Sequence, residues 1–258
     1  MNYWQGFVGI CQRELLKLWS QKSRFLSALV RPLLWLVVFA AGFRAALGIA
    51  IIEPYETYIN YEEYILPGLC AMVLLFNGMQ SSLSIVYDRE MGSMKVLLTS
   101  PLPRSFVLLA KVLAVALISL LQALALLGFA WCYGIELTLT GYLYALPAML
   151  LTALMLGMLG LIIGAWVKQL ENFAGVMNFV IFPMFFLSSA LYPLWKMQEA
   201  NDWLYLICRY NPFTYGTELI RFALYNELNL PALLVVLGCT LSFSLVAVVS
   251  FRPERRFH

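Results

Sequence analysis

The chain alternates long apolar stretches with short polar ones. Several apolar stretches reach about 20 residues without a charged side chain, the length that a helix needs to cross a hydrocarbon layer of about 30 Å. A single large soluble core would not require runs of this length. The pattern predicts an all-α polytopic membrane protein with six transmembrane helices, over residues 25–43, 64–87, 105–133, 142–167, 173–194 and 230–251.

The composition also indicates a membrane protein. Hydrophobic residues make up 62% of the chain and charged residues 12%, with a mean hydropathy of +0.80, whereas about a quarter of a soluble globular chain is charged. The cysteines are far apart and form no CxxC pair, so we interpret them as packing residues. They are Cys11, Cys70, Cys132, Cys208 and Cys239, and a disulfide between Cys132 and Cys208 is left open.

Charged residues divide unevenly between two sets of loops. The N-terminus, the loops after the second and fourth spans and the C-terminal tail hold eleven basic and five acidic residues. The remaining loops hold four basic and nine acidic residues. Because basic loops remain in the cytoplasm, we predict that both termini are cytoplasmic.

Residues 1–24 predict an amphipathic helix, which precedes the six-span bundle of 25–251 and a cytoplasmic tail of 252–258. No cleavage site of a signal peptide follows a short apolar core. Polar residues such as Gln5, Gln12 and Glu14 share one side, so we expect the helix to lie in the inner membrane interface. It either anchors the chain only or also contacts a cytosolic partner. Its apolar residues are Trp4, Phe7, Val8, Cys11, Leu15, Leu18 and Trp19.

A charged, proline-containing stretch, residues 88–106, connects the second and third spans. Residues 90–98 favour a helix, which Pro101 and Pro103 end because proline disfavours helical geometry in the residue before it. Ser105 is the expected cap of the third span. We predict a short helix near the membrane plane, and the alternative is a solvated turn. Its apolar positions are Met91, Met94, Leu97 and Leu98.

Several motifs follow one another in a recognisable order. Leu66-Pro67-Gly68-Leu69 precedes Asp88-Arg89-Glu90-Met91-Gly92, then Lys95 through Pro101, and then Lys111. Phe182-Pro183, Leu187-Ser188 and Tyr192-Pro193-Leu194 end the fifth span, and Asn211-Pro212-Phe213-Thr214-Tyr215 precedes Glu218 and Arg221. In this order and spacing they resemble the permeases of ABC type-2 exporters. The resemblance covers nearly the whole chain as one transmembrane domain over residues 1–258.

The resemblance implies a transport complex. The helix after the second span would be a coupling helix that docks in a cleft of a separate ATPase subunit, and the N-terminal helix would be the connecting helix. Residues 202–210 and 213–225 would be two re-entrant helices on the outer side, where Asn211-Pro212 independently favours a helix start. The candidate coupling residues are Asp88, Arg89, Glu90, Gly92, Met94, Lys95, Leu97, Leu98 and Pro101.

The sequence carries no recognisable catalytic motif. It lacks the G-x-x-x-x-G-K-[ST] loop that binds nucleotide phosphates, and its sole histidine is His258. No predicted span carries the paired carboxylates of a proton relay. We therefore expect a chain that is not an enzyme and holds no metal or cofactor, while the resemblance implies that the partner ATPase binds ATP and Mg.

Polar side chains in the second and fifth spans are candidates for a substrate pathway. Polar groups in lipid prefer the bundle interior, a partner subunit or a water-filled path, and in the resembled family these spans line the path between two permease halves. Ordinary hydrogen bonds between helices are the alternative. The candidates are Asn77, Gln80, Ser81 and Ser84 in the second span and Asn178, Phe182 and Phe185 in the fifth.

Two cations, Arg31 and Lys111, lie within predicted spans near the inner interface. Each is about 10 Å from the cytoplasmic end of its span at 1.5 Å per residue. They either extend to the lipid headgroups or contact an anionic headgroup or substrate.

Two further patterns concern packing and the outer interface. Gly157, Gly160 and Gly164 predict close approach of the fourth span to another helix. Tyrosines recur near the start of the second span and predict an aromatic belt at the outer interface, with a glycan-stacking platform as the alternative. They are Tyr55, Tyr58, Tyr61 and Tyr64.

The predicted function is that of the permease subunit of an ATP-driven ABC exporter for a lipid, glycan, drug-like or other amphiphilic substrate. One six-span half cannot enclose a path with access from two sides, so we expect a homodimer with two ATPase subunits. We expect it in the bacterial cytoplasmic membrane, in contact with membrane lipids and with no nucleic acid. The alternative is a non-transport anchor or assembly subunit, which would not need a coupling loop.

Overall fold

The computed structural model describes residues 3–20, 29–38, 54, 60–90, 103–135, 137–167 and 170–250. Regular secondary structure within these ranges is helical. The helices, in chain order, are α1 (Tyr3–Ser20), α2 (Leu29–Val38), α3 (Tyr61–Glu90), α4 (Arg104–Cys132), α5 (Leu139–Trp166), α6 (Leu170–Phe186), α7 (Leu194–Ala200), α8 (Asp202–Tyr210), α9 (Pro212–Leu224) and α10 (Leu230–Ser250).

Three helices, α4 from Ser105, α5 and α10, are long and apolar enough to cross a membrane. They coincide with the third, fourth and sixth predicted spans. The second predicted span lies within α3, which has 30 residues, and the first is described over Leu29–Val38 only. The all-helical prediction is thus confirmed for the described residues, while the count of six spans stays a prediction.

The fifth predicted span is longer than the helix that the structure contains. Helix α6 ends at Phe186 after 17 residues, about 26 Å at 1.5 Å per residue. The chain then turns, because the Ser188 hydroxyl donates to the Phe185 carbonyl at 2.6 Å and accepts from the Ala190 amide at 3.2 Å. The turn contains no charged residue, so the predicted span extended to residue 194.

Helix α5 is the centre of the bundle and contacts α3, α4, α9 and α10. In its most apolar stretch 61% of the residues are buried, against 17% for α10. Glycines allow this packing: a Cβ atom added to Gly160 would lie 2.4 Å from the Gly78 carbonyl oxygen of α3, and one added to Gly164 would lie 2.8 Å from the Ser82 Cβ. The predicted close packing is confirmed.

Helix α1 packs against the start of α4, with the Tyr3 and Phe106 rings 5.2 Å apart. The predicted division into two faces holds only in part, because Glu14 is buried whereas Leu15 is exposed. Docking on α4 selects the buried side, and an exposed leucine can meet lipid rather than water. The expected Ser105 cap is wrong, since Pro103 occupies the N-cap of α4 and no side chain caps it.

Candidate functional site

A pocket between α2 and α3 brings together three of the candidate residues. Arg31 from α2 and Asn77 and Gln80 from α3 line it, and its volume is about 80 Å³. With Asn77 and Gln80, the remaining lining residues of α3 form two rows spaced four positions apart (72, 76 and 80; 73 and 77), so they share one helical face. They are Met72, Val73 and Phe76, and Pro32 completes the wall from α2.

Arg31 is held against an aromatic ring in this pocket. Its guanidinium carbon lies 4.3 Å from the centroid of the Phe76 ring, within the range of a cation–π contact. Among the residues that the structure describes, no carboxylate forms an ion pair with Arg31. The side chain therefore points toward α3 while staying exposed, and both predicted alternatives for Arg31 stay predictions.

Asn77 also connects two helices. Its side-chain amide donates a hydrogen bond to the Gln122 side-chain oxygen on α4, and Gln122 is buried. Gln122 was missed in the sequence, although an amide in the middle of a long apolar span is a signal for such a bond. Asn77 thus contributes to helix packing as well as to the pocket wall.

The remaining pathway candidates do not form one surface. Phe182 is exposed and lies 6.5 Å from Phe76, ring centroid to ring centroid. Phe185 is buried in the core against Trp35 and Phe213, and Asn178 is exposed. Phe182 therefore borders the pocket region, whereas Phe185 contributes to packing. The side chains of Ser81 and Ser84 lie outside the described part of the structure.

Lys111 is covered by protein. It lies on α4 and is 6% exposed, so its ammonium group does not extend freely to the lipid headgroups, and it does not line the α2–α3 pocket.

The coupling candidates lie largely outside the described residues. Helix α3 continues through Asp88, Arg89 and Glu90, although their side chains are not described. Gly92, Met94, Lys95, Leu97, Leu98 and Pro101 all lie in the undescribed segment that follows, so their predicted role stays a prediction.

A second polar site, missed in the sequence, lies where α9 meets the start of α3. Arg221 is 2% exposed and forms an ion pair with Glu218. One of its nitrogens donates to the Ser189 carbonyl at 2.9 Å and to the Tyr64 carbonyl at 3.5 Å. Its guanidinium carbon lies 4.0 Å from the Tyr64 ring centroid. We call Arg221, Glu218, Tyr64 and Ser189 the outer clamp.

The tyrosines at the start of α3 strengthen this connection. The Tyr64 hydroxyl donates to the Ser189 carbonyl and the Tyr61 hydroxyl to the Leu191 carbonyl, each at 3.0 Å. Both side chains are buried, so the predicted aromatic belt is wrong for these two residues. Their hydroxyls satisfy carbonyls of the turn after α6, while Tyr55 and Tyr58 lie outside the described residues.

The predicted helix break between α8 and α9 is confirmed. Asn211 caps α9 by accepting from the Phe213 amide at 3.0 Å, and Pro212 occupies the first turn. The Asn211 side-chain amide also donates to the Met184 carbonyl at 2.8 Å and to the Leu187 carbonyl at 2.6 Å. One side chain therefore starts a helix and fixes the end of α6.

Cys132 and Cys208 are not joined in the structure. Both are free thiols, with Cys132 exposed at the end of α4 and Cys208 buried in α8. Burial raises the pKa of the Cys208 thiol above its usual value, which keeps it protonated and unreactive.

Comparison with known proteins assigns a family. Residues 5–225 match the family model described as ABC-2 type transporter. A putative transport permease ycf38 of Porphyra purpurea is 26% identical over 224 residues, which cover 86% of this chain and 75% of that protein. The corresponding protein of Cyanophora paradoxa is 27% identical over 226 residues, with the same shares covered. A probable multidrug ABC transporter permease, YbhR of Escherichia coli (strain K12), is 28% identical over 170 residues, which cover 65% of this chain and 45% of that protein.

Proposed function

The chain belongs to the ABC-2 type transporter family, and from that premise we propose that it exports an amphiphilic substrate with energy from ATP hydrolysed in a separate subunit. The resemblance inferred from the sequence motifs is confirmed. Membership makes the chain a multi-pass membrane permease, a transport subunit rather than an enzyme, and it implies an ABC ATPase as partner. The direction of transport and the substrate class, a lipid, glycan or drug-like molecule, are the proposal.

The α2–α3 pocket is the observation that carries this proposal. A guanidinium and two amide side chains meet there beside the apolar side chains of Met72, Val73 and Phe76. Polar groups at this depth are costly unless they pair or face a water-filled path. A pocket with a charged group on one wall and the rings of Phe76 and Phe182 beside it suits a molecule that has both a polar and an apolar part.

The quaternary arrangement that we propose is a homodimer with two ATPase subunits, in the bacterial cytoplasmic membrane with both termini inside. A path with access from both sides needs walls from two permease halves, because one chain presents the pocket on one side only. The excess of basic residues in one set of loops supports the orientation. The family match favours transport over the alternative of an anchor or assembly subunit.

The test combines co-purification with transport. The permease, purified from its native membrane, is expected to retain an ATPase with a nucleotide-binding loop, and proteoliposomes of the complex should move a fluorescent amphiphile in an ATP-dependent manner. Co-purification with an oxidoreductase and no ATPase would support the anchor instead.

Gln80→Leu tests the pathway, because it removes a polar group from the pocket wall. Transport is expected to fall at least about tenfold, because the variant loses one hydrogen bond to a charged or polar group of the substrate. The complex should stay assembled. Ser119→Ala is the matched control, since the Ser119 hydroxyl donates to its own helix, at the Val115 carbonyl. Loss of assembly in Gln80→Leu, with normal transport by what remains assembled, would assign Gln80 to packing.

A further inference from the structure

Arg31 differs from the buried Arg221 in how its charge is satisfied, and it is exposed along the α2–α3 pocket. Arg221 has a carboxylate, two backbone carbonyls and a ring face as partners. Arg31 has a ring face at 4.3 Å and, within the described ranges, no carboxylate. A guanidinium carries five donors, so the same fold pairs one arginine with protein groups and leaves the other facing a pocket.

The position of Arg31 makes this difference functional. It lies within the first predicted span, where a cation is costly unless it is paired. The Phe76 ring fixes the guanidinium in place without neutralising it, because a cation–π contact leaves the edge of the guanidinium open to hydrogen bonds. Asn77 and Gln80 lie on the same pocket wall, so any group that enters meets one full positive charge and side-chain amides.

The pocket has room for a small anionic group. Its volume is about 80 Å³, several times the ~10–15 Å³ that a cavity needs to hold one water. A phosphate or carboxylate group fits that space. Any apolar remainder of the ligand would extend outward along Phe76 and Phe182, whose ring centroids are 6.5 Å apart.

We propose that the α2–α3 pocket recognises the anionic headgroup, a phosphate or carboxylate, of an amphiphilic molecule, with Arg31 as the residue that binds the charge. This inference rests on the proposed function in one respect, since it names the substrate class of the same pathway. Arg31 binds the headgroup oxygens through two parallel N–H donors, Gln80 adds a further polar contact, and Phe76 positions the guanidinium.

The experiment measures binding without transport. The purified permease, in nanodiscs of phosphatidylcholine and without any ATPase, is titrated with radiolabelled dodecyl phosphate and, separately, with dodecylphosphocholine, which has the same chain but no net charge. We expect dodecyl phosphate to bind at least about tenfold more tightly, the difference that one charge-assisted hydrogen-bonded pair supplies. Equal affinity for the two amphiphiles would overturn the proposal.

Variants assign the preference to Arg31. Arg31→Gln is expected to remove the preference for dodecyl phosphate, and Arg31→Lys to keep part of it, because the charge remains while the planar fork is lost. Arg209→Gln is the matched control, an arginine with its guanidinium carbon 5.8 Å from the Tyr205 ring centroid, and it should bind as the unaltered chain does. An unchanged preference in Arg31→Gln would overturn the assignment even if that variant is less stable.

Two further arms identify the source of the headgroup. Inorganic phosphate that competes as well as dodecyl phosphate would overturn the amphiphile class. Loss of dodecyl phosphate binding in nanodiscs that contain phosphatidylglycerol would support a bilayer lipid as the ligand, and retention would support a transported amphiphile. Because no ATPase is present, failure of this binding test leaves the export proposal standing, and failure of export leaves this one standing.

Discussion

Arg221 and Arg209 lie on the neighbouring helices α9 and α8 and have opposite surroundings. Arg221 is buried in the outer clamp, where removal of its charge takes the ion-pair partner from Glu218 and one donor each from the Tyr64 and Ser189 carbonyls. Arg209 is exposed and donates to the Tyr205 hydroxyl at 3.3 Å. Arg221→Met should lower the free energy of unfolding by about 3–5 kcal/mol, the usual cost of breaking a buried pair. Equilibrium unfolding in mixed micelles measures this.

Arg209→Met is the control for this prediction. Its side chain is replaced at the surface, so stability should change by no more than about 0.5 kcal/mol. Equal losses in the two variants would show that the buried contacts of Arg221 add nothing to the stability of the fold.

The same residues show what a sequence pattern can and cannot predict. The polarity of Arg31, Asn77 and Gln80 within apolar spans was enough to predict that they have a role, and the structure places them around one pocket. The partners of Asn77 and Arg221 were not predictable, because Gln122 is 45 residues from Asn77 and Tyr64 is 157 residues from Arg221 along the chain. No local periodicity encodes such pairings.

At the scale of elements, the contact between α3 and α5 depends on the absence of a side chain. Gly160→Ala places a methyl group 2.4 Å from the Gly78 carbonyl oxygen, so the two helices must separate. We expect a loss of about 1–3 kcal/mol, as for other overpacked sites, seen as a lower midpoint of thermal unfolding in detergent.

Gly128→Ala on α4 provides the comparison. A Cβ atom there meets nothing within 4 Å, and alanine favours a helix over glycine by up to about 1 kcal/mol. Its unfolding midpoint should therefore stay the same or rise. A fall as large as that of Gly160→Ala would show that α3 and α5 are not held at this close distance.

The boundaries of helices were predicted correctly where the sequence contains a strong cap or proline signal. Asn211-Pro212 combines a cap with a proline at the first helical position, and the structure starts α9 there. The end of α6 had no such signal, because the turn from Leu187 to Tyr192 contains small and apolar residues. It folds back through contacts with α3 and α9 that hydropathy does not report. The close approach of Gly68 to the Ala190 carbonyl is one of them.

At the scale of the whole molecule, the predicted orientation has a direct test. A cysteine at Glu199, which is exposed at the end of α7, should react with a membrane-impermeant maleimide added to intact cells, since the outer loops are predicted to face away from the cytoplasm. A cysteine at Ser93 should react only after the membrane is permeabilised. Both are made in a Cys132→Ser background because Cys132 is exposed. The reverse labelling pattern would invert the orientation.

The energetic connection to the ATPase is predicted in the stretch between α3 and α4. Met94→Asp with Leu97→Asp should detach the ATPase, since each buried apolar side chain contributes about 1.5–3 kcal/mol. The amount of ATPase recovered by pull-down and the transport-stimulated ATP hydrolysis are measured in one preparation. Both should fall at least about tenfold, because the loss of one such side chain already accounts for a tenfold change.

Ser93→Asp with Val96→Asp adds the same charge on a neighbouring face of the predicted helix and controls for charge alone. This control variant should retain ATPase binding and transport-stimulated ATP hydrolysis. If the variant with Met94→Asp and Leu97→Asp also retains both, the stretch is a solvated turn.

The outer clamp has a consequence for biosynthesis. Its members come from three separate parts of the chain, at residues 64, 189 and 218–221. A chain that enters the membrane from its N-terminal end has Tyr61 and Tyr64 in place long before Arg221 is synthesised. The hydroxyls of Tyr61 and Tyr64 gain their acceptors when the turn after α6 is added. The Tyr64 carbonyl gains its Arg221 donor only when α9 is added. Completion of the outer face is a late event, and an arrested nascent chain differs from a finished one at this cluster of polar groups.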